Sequence, residues 1–463
     1  MGVDAPLLGV HAWRQTDTAA VARNFHEGGY RLLRPQIDWR GDTDGAVEME
    51  FPLYPFLVAL AYGLTGASES VGRLISILFS LVSLFFIYRI ARRLFDSRTG
   101  LWATAIAAFL PLNIFYGRAF MPEPLHLATL AAGFDFFLAW LDRPTHSRLV
   151  AASLFFSLAL LTKLTALWIA FPLLVATHGR FGWHLFTKLP LWGFAILTLA
   201  PVLAWYTHAH SLYRETGLTF GIWAFGEDKW GNFGMLLTPD FWNRVFIHFL
   251  IERHLAYFAL PFFVLSLVFR RGERHAHRFL VAWLLTGLLF IALVARGNAV
   301  HEYYQLPFII PVSILIGRFL ASTFDGSWTF VWRNAAITLG LIGMVGISAS
   351  LLINYWRKED PAREPMTQVA KALRDTTAVS DLIVAIDDND PTLLYHAHRK
   401  GWHAEAKTVD RATLENLRKR GARVVAGTKT RFQFAEGQDR LNQVLSSGES
   451  VLNDSIGFIV RLP

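Results

Sequence analysis

Two carboxylates stand ahead of a long apolar stretch. Asp17 lies in His11-Ala-Trp-Arg-Gln-Thr-Asp17, and Glu50 lies in Glu48-Met-Glu-Phe-Pro-Leu-Tyr-Pro55. Sequence with the character of a membrane bundle follows, over residues 71–356. Carboxylates at the mouth of such a bundle are costly, and their presence asks for a chemical reason. An aspartate there suits a base that takes a proton from a hydroxyl, or one that orients the hydroxyl for attack on an electrophilic carbon. Trp13, Arg14, Asp38, Trp39 and Asp42 share the same polar segment, an aromatic and hydrogen-bonding mixture suited to gripping a sugar.

Other ionisable groups recur between the apolar runs. Glu123 lies in Tyr116-Gly-Arg-Ala-Phe-Met-Pro-Glu-Pro124, and His301 lies in Arg296-Gly-Asn-Ala-Val-His-Glu-Tyr-Tyr-Gln-Leu-Pro307. Arg118, Lys163 and Arg296 suit a phosphate or pyrophosphate at the bilayer surface, through charge-assisted hydrogen bonds. Each residue also has a plainer reading. Asp17, Thr16 or Thr18 fits the N-cap of a short helix ending near Gly29. Glu50 fits an interfacial position, the cations fit snorkelling side chains at span ends, and Tyr303 and Tyr304 fit an aromatic belt. Asp17, Glu50, Glu123 and His301 could also hold a divalent ion, but their spacing carries no metal signature.

The elements that must position these groups are membrane helices. Of 463 residues, 53% are hydrophobic and only 17% charged, well below the charged share of soluble domains. There is no cysteine, which excludes disulfides and thiolate chemistry. The net charge of +8 resides largely in short connections between apolar runs, so it reads as topology rather than nucleic-acid binding. Apolar runs cover 71–94, 101–117, 124–141, 190–209, 255–269, 279–295, 306–321 and 335–356. Residues 149–177 are apolar except for Lys163, and two short tilted helices with Lys163 at an outer turn make ten spans. One set of connections is basic: Arg89, Arg92, Arg93 and Arg98; Arg143 and Arg148; Arg180 and Lys188; Arg270, Arg271, Arg274 and Arg278; Arg318 and Arg333. That set should face the cytoplasm and the acidic loops the outside. Both chain ends then fall outside, although residues 1–50 hold no segment able to cross; a first span upstream is therefore expected.

After Trp356 the composition becomes that of a soluble domain. Asp381–Ile386, Ala422–Ala426 and Gly457–Arg461 read as strands, with helices over 391–400 and 412–420. This alternation predicts a small α/β domain over 357–463, following a membrane domain over 1–356 whose first outer loop is 1–51. The run Asp387-Asp388-Asn389-Asp390 reads as a solvated turn capping the next helix, or as a cation site.

On these motifs the chain resembles the GT-C polytopic membrane glycosyltransferases, of the protein O-mannosyltransferase and aminoarabinose-transferase type (families 39 and 83). Trp13-Arg-Gln-Thr-Asp17 matches their first outer loop, and Glu50-Phe-Pro-Leu-Tyr54 the end of that loop. Arg118 to Pro124 resembles the second outer loop, Leu161-Thr-Lys163 a recurring Thr-Lys element, and His301 to Pro307 the Tyr-Tyr-x-Leu-Pro segment opening a late helix. The resemblance implies a GT-C-like helical bundle and transfer from a polyprenyl-phosphate-linked sugar, with inversion, at the periplasmic face of a bacterial inner membrane. It assigns Asp17 and Glu50 to catalysis, and Arg118, Lys163, Arg296, His301 and Tyr304 to the donor phosphate. Trp13, Arg14 and Glu123 fall to substrate. The implied partners are the lipid-linked donor, a glycan, lipid or protein acceptor and the bilayer, with no nucleic acid and no cofactor. The rival classes are a transporter or flippase of a lipid-linked or polar solute and a polysaccharide polymerase or ligase. Transporters place charges near the midplane and show internal repeats, which this sequence lacks.

Overall fold

The structure is a computed structural model describing residues 3–222, 230–268, 274–323, 331–356 and 364–463. Arg270 and Arg271, and the chain just beyond the expected 356/357 boundary, lie outside the described residues. The chain divides into two compact units: Met1–Arg73 with His208–Gly221 and Trp356–Pro463, and Leu74–Thr207 with Ile222–Tyr355.

The fold is a helical membrane bundle with a small C-terminal sheet domain. Among the described residues, seven helices are long and apolar enough to cross a membrane: Glu69–Leu94, Glu123–Asp142, Leu164–Thr187, Leu189–Thr216, Arg274–Leu293, Glu302–Thr323 and Val331–Trp356. Pro239–His254 and Ala259–Val268 form an eighth candidate, bent by 101° at its break. Shorter apolar helices occupy Leu53–Thr65 and His146–Thr162. The apolar run at 101–117 is not one helix. It divides at Leu110 into Ser97–Phe109 and Pro111–Tyr116, because a proline cannot donate to the helical ladder. The run at 149–177 breaks at Lys163 as expected. Helix His146–Thr162 ends there in extended backbone, a 3-10 turn spans Leu164–Ile169, and helix Ala170–Phe181 follows.

In the larger unit the helix Glu123–Asp142 is the buried centre. Phe134 meets Trp283 at 3.9 Å between ring centroids and Phe156 edge-on at 5.0 Å. Gly133 allows this approach, since a Cβ there would fall 2.7 Å from the Phe156 ring. This is the dense, dry packing that fixes helix ends against one another.

The smaller unit is built on a five-stranded sheet of order β2-β1-β3-β5-β4: β1 Leu382–Ile386, β2 Lys400–Ala404, β3 Ala422–Thr428, β4 Glu449–Asn453 and β5 Gly457–Arg461. Strands β2, β1 and β3 run parallel, while β5 and β4 are antiparallel. The sequence pattern finds β1, β3 and β5 but not β2 or β4. Those two are edge strands, half-exposed, without the apolar run of a central strand.

The N-terminal segment packs on this sheet. Its helix Ala12–Gly28 stops at Gly29, whose φ of 88° suits glycine, and whose N–H bonds to the Phe25 carbonyl. Val21, Phe25, Ile37, Val47 and Met49 form an apolar core around the following loop. Trp39 joins that core to the sheet's own core of Ile383, Ala385, Leu393 and Val424. The backbone of Gly401 on β2 completes the joint, donating to the Asp38 carbonyl at 3.0 Å and accepting from Gly41 N at 2.7 Å. No side chain fits at Gly401, because a Cβ would lie 1.8 Å from the Ile383 carbonyl oxygen. The ion pair Arg420–Asp42 at 2.6 Å and the contact of His398 Nε2 with Glu27 Oε1 at 2.9 Å frame the joint.

Candidate active site

Asp17 is not a helix cap. The helix begins at Ala12, so Asp17 lies in its second turn, and the Thr16 and Thr18 hydroxyls bond back to the Ala12 and Arg14 carbonyls. The Asp17 side chain is instead aimed at a cavity of about 470 Å³ lined by Trp13, Trp39, Arg40, Trp402, His403 and Arg420, among others. The Trp39 indole N–H donates to Asp17 Oδ1 at 2.9 Å. Burial raises Asp17, opposed by the Trp39 hydrogen bond and the charges of His403 and Arg14, and reinforced by Asp38. The net effect lifts its pKa from 3.8 to about 7. A carboxylate balanced there can accept a proton near neutral pH, which is the property of a general base.

The neighbouring groups are tied down. Arg14 pairs with Glu50 at 3.2 Å, so Glu50 is a counter-ion of the first helix, with its side chain one quarter exposed. Asp38 is buried, pairs with Arg23 and accepts from Asn24 Nδ2 at 3.1 Å. Glu48 is buried and accepts from Thr219, with His210 Nδ1 at 3.1 Å. These pairs hold the loop that carries Trp39 over Asp17.

Two residues that sequence reading missed belong here. His403 lines the cavity, and its Nδ1 lies 2.9 Å from both oxygens of the buried Asp387. Their relation depends on strand register: Ala385 pairs with His403 and Ile386 with Ala404, which sets the residue after β1 beside the histidine. No local spacing announces that pair. The rest of the acidic run behaves as a turn and cap, with Asp390 Oδ1 accepting from Thr392 N at 3.1 Å and Asp388 pairing with Arg431 at 3.3 Å.

A second cluster lies within the larger unit. Lys163 Nζ pairs with Glu123 Oε1 at 2.8 Å, both side chains being buried. The pairing follows from helix ends: Glu123 occupies the first turn of Glu123–Asp142, and Lys163 caps the C-terminus of His146–Thr162. The helix dipoles favour an anion at the first position and a cation at the second. Lys163 also lies 5.0 Å from the Tyr303 ring centre and 5.5 Å from that of Tyr304, and His301 stacks on Tyr303 at 5.1 Å. Tyr116 donates to Glu302 Oε1 at 3.0 Å, and Arg253 pairs with the other oxygen of Glu302. Arg253 and Glu302 were not singled out by sequence. Arg118 lies in the turn before Glu123 with its guanidinium 5.7 Å from the Phe115 ring, while Arg296 is exposed on the short helix Ala295–Val300. So Lys163, Glu123, His301, Tyr303 and Tyr304 form one cluster. Among the described residues, no group of three or more histidine and carboxylate side chains is arranged to hold a metal ion.

A family model described as dolichyl-phosphate-mannose-protein mannosyltransferase matches residues 50–206. The whole chain superposes on solved structures of related architecture. The Cupriavidus metallidurans ArnT structure bound to undecaprenyl phosphate matches with a TM-score of 0.70 at 14% identity, covering 99% of this chain and 95% of that one. The chain has the GT-C fold. The Archaeoglobus fulgidus oligosaccharyltransferase matches at a TM-score of 0.61 with 12% identity, over 96% of this chain and 69% of that chain. The mycobacterial arabinofuranosyltransferase AftD matches at 0.56 with 12% identity, over 96% and 39%. No curated protein sequence matches significantly. Within this GT-C fold the described residues bring Asp17, Trp39 and His403 to one cavity wall, and Lys163 to Tyr303 and Tyr304.

Proposed function

We propose that this GT-C glycosyltransferase moves a sugar from a polyprenyl-phosphate donor to an acceptor hydroxyl at the periplasmic face of the inner membrane, with inversion at the anomeric carbon. The observation that carries the reading is Asp17, a buried carboxylate with a pKa near 7 in a cavity walled by three tryptophans. Aromatic faces suit the apolar faces of sugar rings, and a base matched to neutral pH suits deprotonation of a hydroxyl. In the step itself the acceptor O–H bond breaks and its proton passes to Asp17. The acceptor oxygen bonds to the anomeric carbon, and the bond from that carbon to the phosphate oxygen breaks. The electron pair leaves on the polyprenyl phosphate. In the larger unit Lys163, beside Tyr303 and Tyr304, is proposed to bind a lipid phosphate through its ammonium group. His301, Arg118 and Arg296 are proposed to assist at the phosphate, and Trp13, Arg14, Glu50 and Glu123 to shape substrate binding. No metal ion enters this scheme.

The bound undecaprenyl phosphate in the ArnT structure, and the dolichol-phosphate in an Archaeoglobus fulgidus AglB structure, support a lipid-phosphate donor. The test is reconstitution in lipid with a panel of radiolabelled polyprenyl-phosphate sugars and candidate acceptors. Label transferred from one donor by the wild type and lost in Asp17→Asn supports the reading. Labelled lipid crossing the bilayer without transfer would replace it with a flippase.

A further inference from the structure

The Asp387–His403 pair belongs to the C-terminal sheet, yet His403 lines the same cavity as Asp17, a residue of the N-terminal helix. Asp387 does not line it and sits behind the ring. Its carboxylate accepts from Nδ1, and the histidine side chain is nine-tenths buried with Nε2 meeting no protein partner. A buried imidazole nitrogen left unpaired is costly unless something else bonds to it. The ring is also held from the side, tilted against Trp39 at 5.7 Å, and Trp39 is the residue that bonds Asp17. Asp387, His403, Trp39 and Asp17 thus form one buried chain of contacts.

We propose, resting on the function above, that the Asp387–His403 pair is a positioning device for transfer: His403, held as an imidazolium by Asp387, keeps Asp17 ionised and offers its Nε2–H to the acceptor oxygen in the cavity. The ligand this cavity takes is then a polyhydroxylated acceptor, seated between aromatic faces with one oxygen placed by Nε2 and its reacting hydroxyl near Asp17. The electrostatics agree. Burial works against the charged imidazole, but the carboxylates of Asp387, Asp17 and Asp390 outweigh it and raise His403. Asp387 is raised by burial to about 6, against the pull of His403 and Arg431 and with the push of Asp390. The other charged groups acting on Asp17 are Arg14, itself paired with Glu50, and Asp38, paired with Arg23; Arg420, paired with Asp42, and Arg40, which donates to the Thr43 carbonyl, line the same cavity. Of the two cations that lower Asp17, His403 and Arg14, His403 has the larger effect, and removing it should let the Asp17 pKa rise.

The experiment is the pH profile of kcat/KM for full-length wild type, His403→Gln and Asp387→Asn, with donor and acceptor fixed. The acidic limb should move up by about one unit in His403→Gln, giving about a tenfold loss at pH 6 that recovers toward pH 9. Asp387→Asn should move it the same way. A uniform loss at all pH values, or an unchanged profile, would overturn the proposal. A second readout needs no turnover: thermal melts of wild type, Asp17→Asn, His403→Gln and the double variant. The proposal expects His403→Gln to lower Tm more when residue 17 is aspartate than when it is asparagine, and additive shifts refute it. If no donor is turned over but the melts are coupled, the assigned reaction fails and the pairing stands.

Discussion

Asp17→Asn should abolish transfer and at the same time stabilise the protein at alkaline pH. The amide keeps an oxygen to accept from Trp39 Nε1 at 2.9 Å, so the geometry of the site is retained. What changes is the charge. The folded pKa of Asp17 is raised from 3.8 to about 7, chiefly by burial, so the folded protein holds a proton that the unfolded chain has released. For a raised carboxylate, the associated stability is fully present below about pH 4 and is lost as pH rises through about 7. A difference of about 3 units at 1.36 kcal/mol per unit makes the ionised Asp17 cost at most about 4 kcal/mol by pH 8. Asparagine does not titrate and avoids that cost. Melts of purified wild type and variant should therefore converge as pH falls below about 4 and diverge as it rises, with the variant melting several degrees higher at pH 8. Transfer by the variant should fall by about 100-fold or more, the usual scale for losing a general base. A variant that melts lower than wild type at pH 8, or whose advantage does not grow with pH, would refute the buried-carboxylate argument. Near-normal turnover would remove Asp17 from the chemistry.

Other expectations follow from the same contacts. Lys163→Met should raise KM for the donor at least tenfold and also destabilise the protein by about 3 kcal/mol, because Glu123 is left buried without its cation; adding Glu123→Gln should restore the melting temperature and leave donor use impaired. Trp39→Phe removes the indole donor to Asp17 and should shift the acidic limb of the pH profile upward, whereas an unmoved limb would mean the hydrogen bond has no influence on the base. Gly401→Ala drives a methyl group into the Ile383 carbonyl and should lower Tm by several degrees and loosen the first loop, seen as faster proteolysis after Arg40; an unchanged melt would show that the loop is held elsewhere. Transfer should persist in EDTA, and a loss restored by added magnesium or manganese would require a metal.

The sequence revealed the class of fold because membrane spans are written locally, in runs of apolar residues. It also drew out Asp17, Glu50, Glu123 and Lys163 as candidates, since a charge beside such a run is conspicuous. What it concealed lies in register and helix ends. Asp17 reads as a plausible cap until the helix is seen to begin at Ala12, five residues earlier. Strand β2 is invisible as a pattern, since Lys400-Gly-Trp-His-Ala404 alternates weakly and contains a glycine needed for close approach. His403 therefore looked like any isolated histidine, and Asp387 like one member of a solvated turn. Only pairing of β1 with β2, and the first loop lying on β2 through Asp38, Gly41 and Gly401, bring them to Asp17. Arg253 and Glu302 were similarly hidden, because a pair 49 positions apart leaves no spacing to recognise.

The most direct test is a single-turnover reaction in lipid, with donor, acceptor and enzyme at equal concentration, read by mass spectrometry of lipid and acceptor. Direct transfer predicts that each acceptor gains one sugar as one polyprenyl phosphate is released, in wild type and not in Asp17→Asn. Release of polyprenyl phosphate without a modified acceptor, or equal products from both proteins, would contradict it.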